Sequence, residues 1–273
     1  MILPLRIRIL TILLSVVGFI TVAQWGVGYF FILPQFVRLE RREAANDLSR
    51  VMETLNHRGQ ALMHTCSDWA TWDQAYQFAG DHNREFISRN LPRWKYSQLG
   101  VDLVHFYDRD GDLTWGEVRD RQTGEVRSLP GIGDRGIPDV QRLLQPSPTH
   151  EGTLGFLRVG DTALQVAMQP IMDSARQGPP RGTLVMGRLL PWGPSEELSR
   201  IARVPIALQP FWAAKDAVRA ESAEQSPDGT VIEVTSPASL DALQVVFDLD
   251  GNPLVLMSAT IPRTATNQAA RAL

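Results

Sequence analysis

Asp68-Trp69-Ala70-Thr71-Trp72-Asp73-Gln74-Ala75-Tyr76 is the stretch on which the reading of this 273-residue chain turns. On a helix, Trp69, Trp72, Asp73 and Tyr76 fall at i, i+3, i+4 and i+7 and share one face. A carboxylate in an aromatic stripe is costly to bury alone, so Asp73 needs a partner. Two readings follow from the residues. As a core, the aromatics fill the seam between a long helix and a sheet, Asp73 pairs with Arg188 or Arg93, and Asp68 caps a helix starting at Trp69. As a site, Trp69, Trp72 and Tyr76 wall a pocket, and Asp73, with Asp68, meets a cation such as an amine. Each aromatic face then adds about 0.5–2 kcal/mol of cation attraction. The candidate ligand-binding residues are Asp68, Trp69, Trp72, Asp73, Tyr76 and Arg188.

Upstream, Ile9 to Leu33 reads ILTILLSVVGFITVAQWGVGYFFIL without a charged residue. That exceeds the ~20 apolar residues needed to cross a bilayer. Trp25, Tyr29, Phe30 and Phe31 crowd its C-terminal end like an interfacial belt. The run is longer than the apolar core of a signal peptide, and Trp-Gly-Val-Gly-Tyr-Phe-Phe is a poor cleavage site. The stretch therefore reads as an uncleaved anchor, residues 9–33. Arg6 and Arg8 before it favour a cytoplasmic tail over residues 1–8, although Arg38, Arg41 and Arg42 follow the span.

Past Pro34, Leu48, Leu55 and Leu62 recur seven apart and predict a helix from Gln35 to about His64. Continuous with the span, it is a rod able to carry motion; equally, it can pack on its own domain. A second helix is predicted over Asp81–Leu91, stopped by Pro92. Beyond Gly100 the period changes. Strands are predicted at Val101–Tyr107, within Thr153–Ile171, and at Thr183–Leu190, Val204–Leu208, Val231–Thr235, Leu243–Phe247 and Leu254–Ile261. Short helices are predicted at Val140–Leu144 and Glu196–Ala202, and Asp173–Gly182 reads as a polar turn. Asp110-Gly111 and Asp250-Gly251 mark two similar hairpin turns, which suggest one antiparallel sheet rather than a duplicated domain. Helices first, then a meandering sheet with short helices between strands, is an α+β pattern.

Several chemistries are excluded. A net charge of −3 and the lack of any Lys/Arg cluster interleaved with aromatics argue against nucleic acid. A single cysteine, Cys66, permits neither an internal disulfide nor a cysteine-rich metal centre. Asp108-Arg109-Asp110-Gly111-Asp112 has its glycine at the fourth position, not the sixth of a calcium loop. The histidines His57, His64, His82, His105 and His150 lack H-E-x-x-H spacing, and no G-x-S-x-G elbow occurs. Asp68 and Asp73 as a glycosidase pair lack a cleft rim. The sequence predicts no enzyme, no cofactor and no metal.

Leu33-Pro34-Gln35-Phe36-Val37-Arg38-Leu39-Glu40, then Ala44-Ala45-Asn46-Asp47-Leu48-Ser49-Arg50, then Asp68-Trp69-Ala70-Thr71-Trp72-Asp73 with Tyr76 and Phe78, then Asn90-Leu91, resemble a CHASE domain of type 4. Pro170-Ile171, Gly182-Thr183-Leu184 and Gly187-Arg188 agree. The resemblance spans about Leu33 to Arg263 and implies an extracytoplasmic sensory domain, residues 34–263, with a Cache- or PAS-like fold. It implies a receptor of kinase, diguanylate cyclase or chemoreceptor type in the inner membrane; the partners expected are a small-molecule ligand such as an amine or amino acid and a second copy paired through the long helix. No second span or output module follows residues 264–273, so the sequence reads as a fragment or as a tethered sensor with its output on another chain. A membrane-tethered adaptor without a ligand is the alternative.

Overall fold

The computed structural model describes residues 5–138, 143, 152–215, 230–234, 236, 238–264 and 266–268. A helical column opens the chain: α1 (Leu5–Val27) passes through a π-turn, Gly28–Ile32, straight into α2 (Leu33–Ala70). Phe19, Val22 and Phe30 are exposed, and by length and apolar composition this first part can cross a membrane. Pro34 stands in the first turn of α2, where its missing N–H is not needed. Leu48, Leu55 and Leu62 are all buried, as their spacing predicts.

The long helix runs six residues past the expected end at His64. Thr71 stops it: its N–H and hydroxyl both return to the Ser67 carbonyl, at 3.1 and 2.9 Å. Trp72 is extended, and α3 (Asp73–Asp81) starts in a new direction. The helix expected over Asp81–Leu91 is instead split. His82 ends α3 in the left-handed region (φ 55°), and Asn83 caps α4 (Arg84–Asn90) by accepting the Glu85 N–H at 2.9 Å. After Pro92 comes α5 (Arg93–Leu99), closed by Gly100 at φ 66°.

Among the described residues, ten strands form two sheets, not one. The first holds β1 (Leu103–Tyr107), β2 (Leu113–Val118), β3 (Thr153–Val159), β4 (Thr162–Pro170) and β5 (Thr183–Leu189) in the order β2-β1-β5-β4-β3. The second holds β6 (Gly193–Pro194), β7 (Ile206–Pro210), β8 (Thr230–Val234), β9 (Ser239–Phe247) and β10 (Pro253–Pro262) in the order β6-β7-β10-β9-β8. Between β6 and β7 lies α6 (Glu196–Ala202). All pairings are antiparallel. The two hairpin turns are chemically alike: Asp108 Oδ1 accepts the Asp110 and Asp112 N–H groups, and Asp248 Oδ1 accepts those of Asp250 and Asn252. A turn fixes its own hairpin but not the sheet the hairpin joins, which is why their likeness misleads about sheet number. The short helix expected at Val140–Leu144 lies outside the described residues, Leu143 excepted, as do the extreme tails.

The spine α2 backs both sheets. Ala44, Leu48, Val51 and Leu55 pack with Ile206, Leu208, Leu240 and Met257 of the second sheet and Leu198 of α6. Leu62, Cys66 and Ala70 pack with Val104, Phe106, Ala167 and Met186 of the first. Between these halves, Gly59 lets the helix approach β4: a Cβ there would sit 2.8 Å from Gln165 Nε2, which donates to the Leu55 carbonyl at 2.8 Å. The opposite face of the first sheet carries Leu103, Tyr107, Leu164, Val166 and Val185 beneath Leu129 and Ile137 of the β2–β3 connection. At the seam of the sheets the Leu249 N–H donates to the Phe156 carbonyl at 2.9 Å, and the Arg158 guanidinium lies 3.6 Å from the Trp212 ring centre.

Candidate functional site

The aromatic joint is a packed wedge between α2, α3, α4 and β1. Trp69 meets Trp72 edge-on at 5.8 Å, Trp72 leans on Phe86 at 6.1 Å, and Phe78 stacks on Phe86 at 4.9 Å and meets Phe106 at 5.0 Å. Because Thr71 and Trp72 break the helix, Trp69 and Tyr76 belong to different helices rather than to one continuous stripe. Two cations already cover aromatic faces: Lys95 Nζ lies 5.9 Å from the Trp69 ring, and the Arg181 guanidinium lies 4.0 Å from that of Tyr76.

The carboxylates are not set among the rings. Asp73 is exposed at the first turn of α3, and both its oxygens are engaged by Ser174, from its N–H at 2.9 Å and its hydroxyl at 3.1 Å. Its partner is therefore neither Arg188 nor Arg93. Asp68 is exposed in the last turns of α2, 3.1 Å from His64 Nδ1, and caps no helix. Arg188 stands near the far end of β5 from the loop that holds Ser174, five residues or about 16 Å along the strand from Thr183. There it donates to the Gly100 carbonyl at 2.7 Å. The structure thus brings Trp69, Trp72, Asp73 and Tyr76 into one neighbourhood and leaves Arg188 out of it.

A different cavity, of about 380 Å³, lies where the β2–β3 connection meets the link between the sheets. Asp102, Asp120, Arg121, Arg127, Leu189 and Trp192 are among its lining residues. Asp102 is its buried anchor, 4% exposed, accepting from Arg121 Nη1 at 3.0 Å, from the Arg121 N–H at 3.2 Å and from the Leu189 N–H at 2.8 Å. Burial pushes its carboxyl above the usual range, against the pull of the Leu189 N–H and of Arg121. Asp120 is the opposite case: the N–H groups of Thr123 and Gln122 hold its pKa down. Arg127 reaches Asp120 at 3.4 Å and is half exposed. Arg188 feels this group. Burial, then the charges of Arg121 and Arg58, lower its pKa, while Asp102 and Glu197 oppose them.

The cavity is thus lined by two carboxylates and two guanidiniums on an apolar floor, with an indole at one side. Such a surface suits a small zwitterion. Trp192 also donates from Nε1 to the Asp161 carbonyl at 2.8 Å and meets Trp212 edge-on at 6.2 Å, so the cavity wall reaches the seam between the sheets. Sequence reasoning missed these residues. The alternation Arg119-Asp120-Arg121 directly after a strand is the one local sign, and Asp102 lies 19 residues from Arg121.

No group of His, Cys, Asp and Glu among the described residues could hold a metal. Cys66 is fully buried, its thiol 3.5 Å from the Ala167 and Leu184 carbonyls, and burial raises its pKa far above the usual thiol range.

A long helix backing antiparallel sheets of this order is an α+β, PAS/Cache-like fold. Residues 54–209 match the CHASE4 domain, more than half of the chain, and the chain belongs to that family. It is a sensory domain of the receptor type. The methanogenesis regulatory histidine kinase FilI of Methanothrix harundinacea is 30% identical over 203 residues, a match covering 74% of this chain and 22% of the kinase. The chain thus spans about a fifth of that relative. Among solved structures, the extracellular domain of vpHK1S-Z8, described as a histidine kinase, aligns with a TM-score of 0.56 at 13% identity, over 87% of this chain and 96% of that one. A Vibrio parahaemolyticus domain, described as of the sensory box/GGDEF family, aligns with a TM-score of 0.56 at 12% identity, over 85% and 99%.

Proposed function

We propose that this chain is the periplasmic ligand-sensing part of an inner-membrane signal-transduction receptor of kinase, cyclase or chemoreceptor type. α1 serves as its membrane anchor, with residues 1–8 on the cytoplasmic side. The observation that carries the reading is the cavity at Asp102, Arg121, Arg127 and Trp192, which joins a recognition surface to the seam between the two sheets. Its ligand is a zwitterion of amino-acid size. The ligand carboxylate meets Arg127 and Arg121, and its ammonium meets Asp120, with Asp102 holding Arg121 in place. The aromatic joint, with Lys95 and Arg181 already on its faces, locks α2 to the first sheet and transmits rather than binds.

A thermal-shift screen of the full chain in detergent against amino acids, amines, carboxylates and sugars tests this. An α-amino acid should raise the melting temperature, and Arg127→Gln should weaken that ligand about tenfold, since a charge-assisted hydrogen bond contributes roughly 1.5–3 kcal/mol. If only sugars shift the transition, or if Arg127→Gln binds unchanged, the assignment falls. A homodimer through the exposed face of α2 beyond Arg50, away from its membrane-proximal turns, belongs to the same proposal. Cys66 is buried, so Gln60→Cys, on that face, reports pairing by disulfide formation.

A further inference from the structure

At the foot of α2, Gln35, Phe36, Arg38, Leu39 and Arg42 line a groove of about 310 Å³. Arg38 and Arg42 are one helical turn apart and exposed, Leu39 is exposed between them, and Phe36 is half-buried. Glu40, two residues from each, faces inward and is held by Arg263 and Thr266, and among the described residues the exposed Glu43 beside Arg42 forms no ion pair with either. Among the described residues, neither Arg38 nor Arg42 forms an ion pair. An apolar floor between two uncompensated guanidiniums is an anion site with room for an apolar tail.

Position selects the anion. The uncharged run ends at Leu33. At 1.5 Å per residue Arg38 lies about 8 Å and Arg42 about 14 Å further along the axis. The headgroup layer is itself roughly 5–8 Å deep on each side of the hydrocarbon. Helical Cα–Cβ bonds tilt toward the N-terminus, here toward the bilayer, so both guanidiniums reach back into that layer. Two-fold pairing of this face with a second copy would instead set Arg38 and Arg42 near their own equivalents. We propose that this groove binds the phosphodiester of an anionic phospholipid in the leaflet next to the sensory domain, with Phe36 and Leu39 against its glycerol and upper acyl carbons. The proposal rests on α1 being a membrane anchor. Its consequence is that α2 is pinned in height and rotation at the membrane while its other end answers to the sheets.

The test reconstitutes the full chain into nanodiscs of phosphatidylcholine, with and without phosphatidylglycerol, and counts retained lipids by native mass spectrometry. Phosphatidylglycerol should be retained over phosphatidylcholine. The double variant Arg38→Gln/Arg42→Gln should lose about 30-fold in that preference, near fivefold per arginine at an anionic surface. Arg50→Gln, on the same helix but further from the bilayer, should keep it. Insertion with no lipid preference, or a preference that survives the double variant, overturns the groove while leaving the anchor intact. A chain that does not enter either nanodisc overturns both. A double variant that dissociates a dimer without changing lipid retention assigns the face to a second copy and overturns the lipid.

Discussion

The Glu40 carboxylate, 5% exposed, accepts the Thr266 N–H at 2.8 Å and the Thr266 hydroxyl at 2.5 Å. Arg263 Nε lies 3.4 Å from the same carboxylate. The start of α2 is thereby tied to the segment leaving β10, across 226 residues of chain. A buried carboxylate is stable only while its donors stay in place. Displacement of β10 along α2 therefore either carries this contact with it or breaks it, a discrete choice suited to passing a conformational change to the start of α2.

That clasp yields an ordering of variants. Thr266→Val removes one donor and leaves the N–H and Arg263, which should cost about 1–2 kcal/mol. Glu40→Ala strips every donor of its acceptor and leaves Arg263 without its counter-charge, which should cost about 3–5 kcal/mol. Urea unfolding of the full chain in detergent measures both. A Glu40→Ala penalty no larger than that of Thr266→Val would show that the carboxylate does not organise the contact.

A second prediction concerns acid. His105, 2% exposed, places Nδ1 2.9 Å from the Tyr107 hydroxyl, which itself accepts the Ile137 N–H at 2.9 Å. The phenol proton is then free to be donated to Nδ1, the pattern of a neutral imidazole protonated at Nε2. Burial lowers the His105 pKa from 6.5 to about 4. Below pH 6.5 the unfolded chain takes up a proton that the folded chain refuses. The contribution is thus fully present above pH 6.5 and is lost as the pH falls toward 4, by up to about 3 kcal/mol. Melting temperatures between pH 7 and 4 should fall more steeply for the native chain than for His105→Phe. Parallel profiles would rule out His105 as the source.

How far the residues announced this structure differs between its parts. The uncharged run and the seven-residue spacing of Leu48, Leu55 and Leu62 are local patterns whose meaning does not depend on distant chain, so the long apolar helix and the spine were legible. The two-sheet division was not, because Asp108 and Asp248 make the same turn whichever sheet receives it. Asp73 called for a charged partner only on the assumption of a continuous helix through Thr71. Once Thr71 turns its side chain back to Ser67, the carboxylate faces water, and a serine 101 residues away suffices. The cavity residues were silent for a similar reason: Asp102 and Arg121 meet through the return of the β2–β3 connection, which no short pattern encodes.

Asp73 itself supplies a discriminating test. As a staple between α3 and the β4–β5 loop it makes two exposed hydrogen bonds, so Asp73→Ala should cost about 1 kcal/mol and leave ligand selectivity unchanged. Asp73→Asn keeps the volume and one acceptor, and should cost less. Melting temperature and ligand-induced shift, measured on the same samples, separate the roles. Unaltered stability with a lost ligand shift would return Asp73 to the binding site.

The seam between the sheets is the last element with a quantitative expectation. Leu249, at the β9–β10 turn, covers Gly155 of β3 so closely that a Cβ on the glycine would lie 2.2 Å from Leu249 Cδ2 and 2.7 Å from Cγ. The same residue is fixed by its N–H on the Phe156 carbonyl, so it has little freedom to withdraw. Gly155→Val should therefore force the turn away from β3 at a cost of about 1–3 kcal/mol. Leu249→Ala alone should cost about 1–2 kcal/mol, because the side chain is only partly buried. Combined, the two changes should cost less than their sum, since truncating Leu249 clears the space that the new side chain needs. Strict additivity in a double-mutant cycle would mean that the sheets are held apart by other contacts, and that the Arg158–Trp212 stack carries the seam instead.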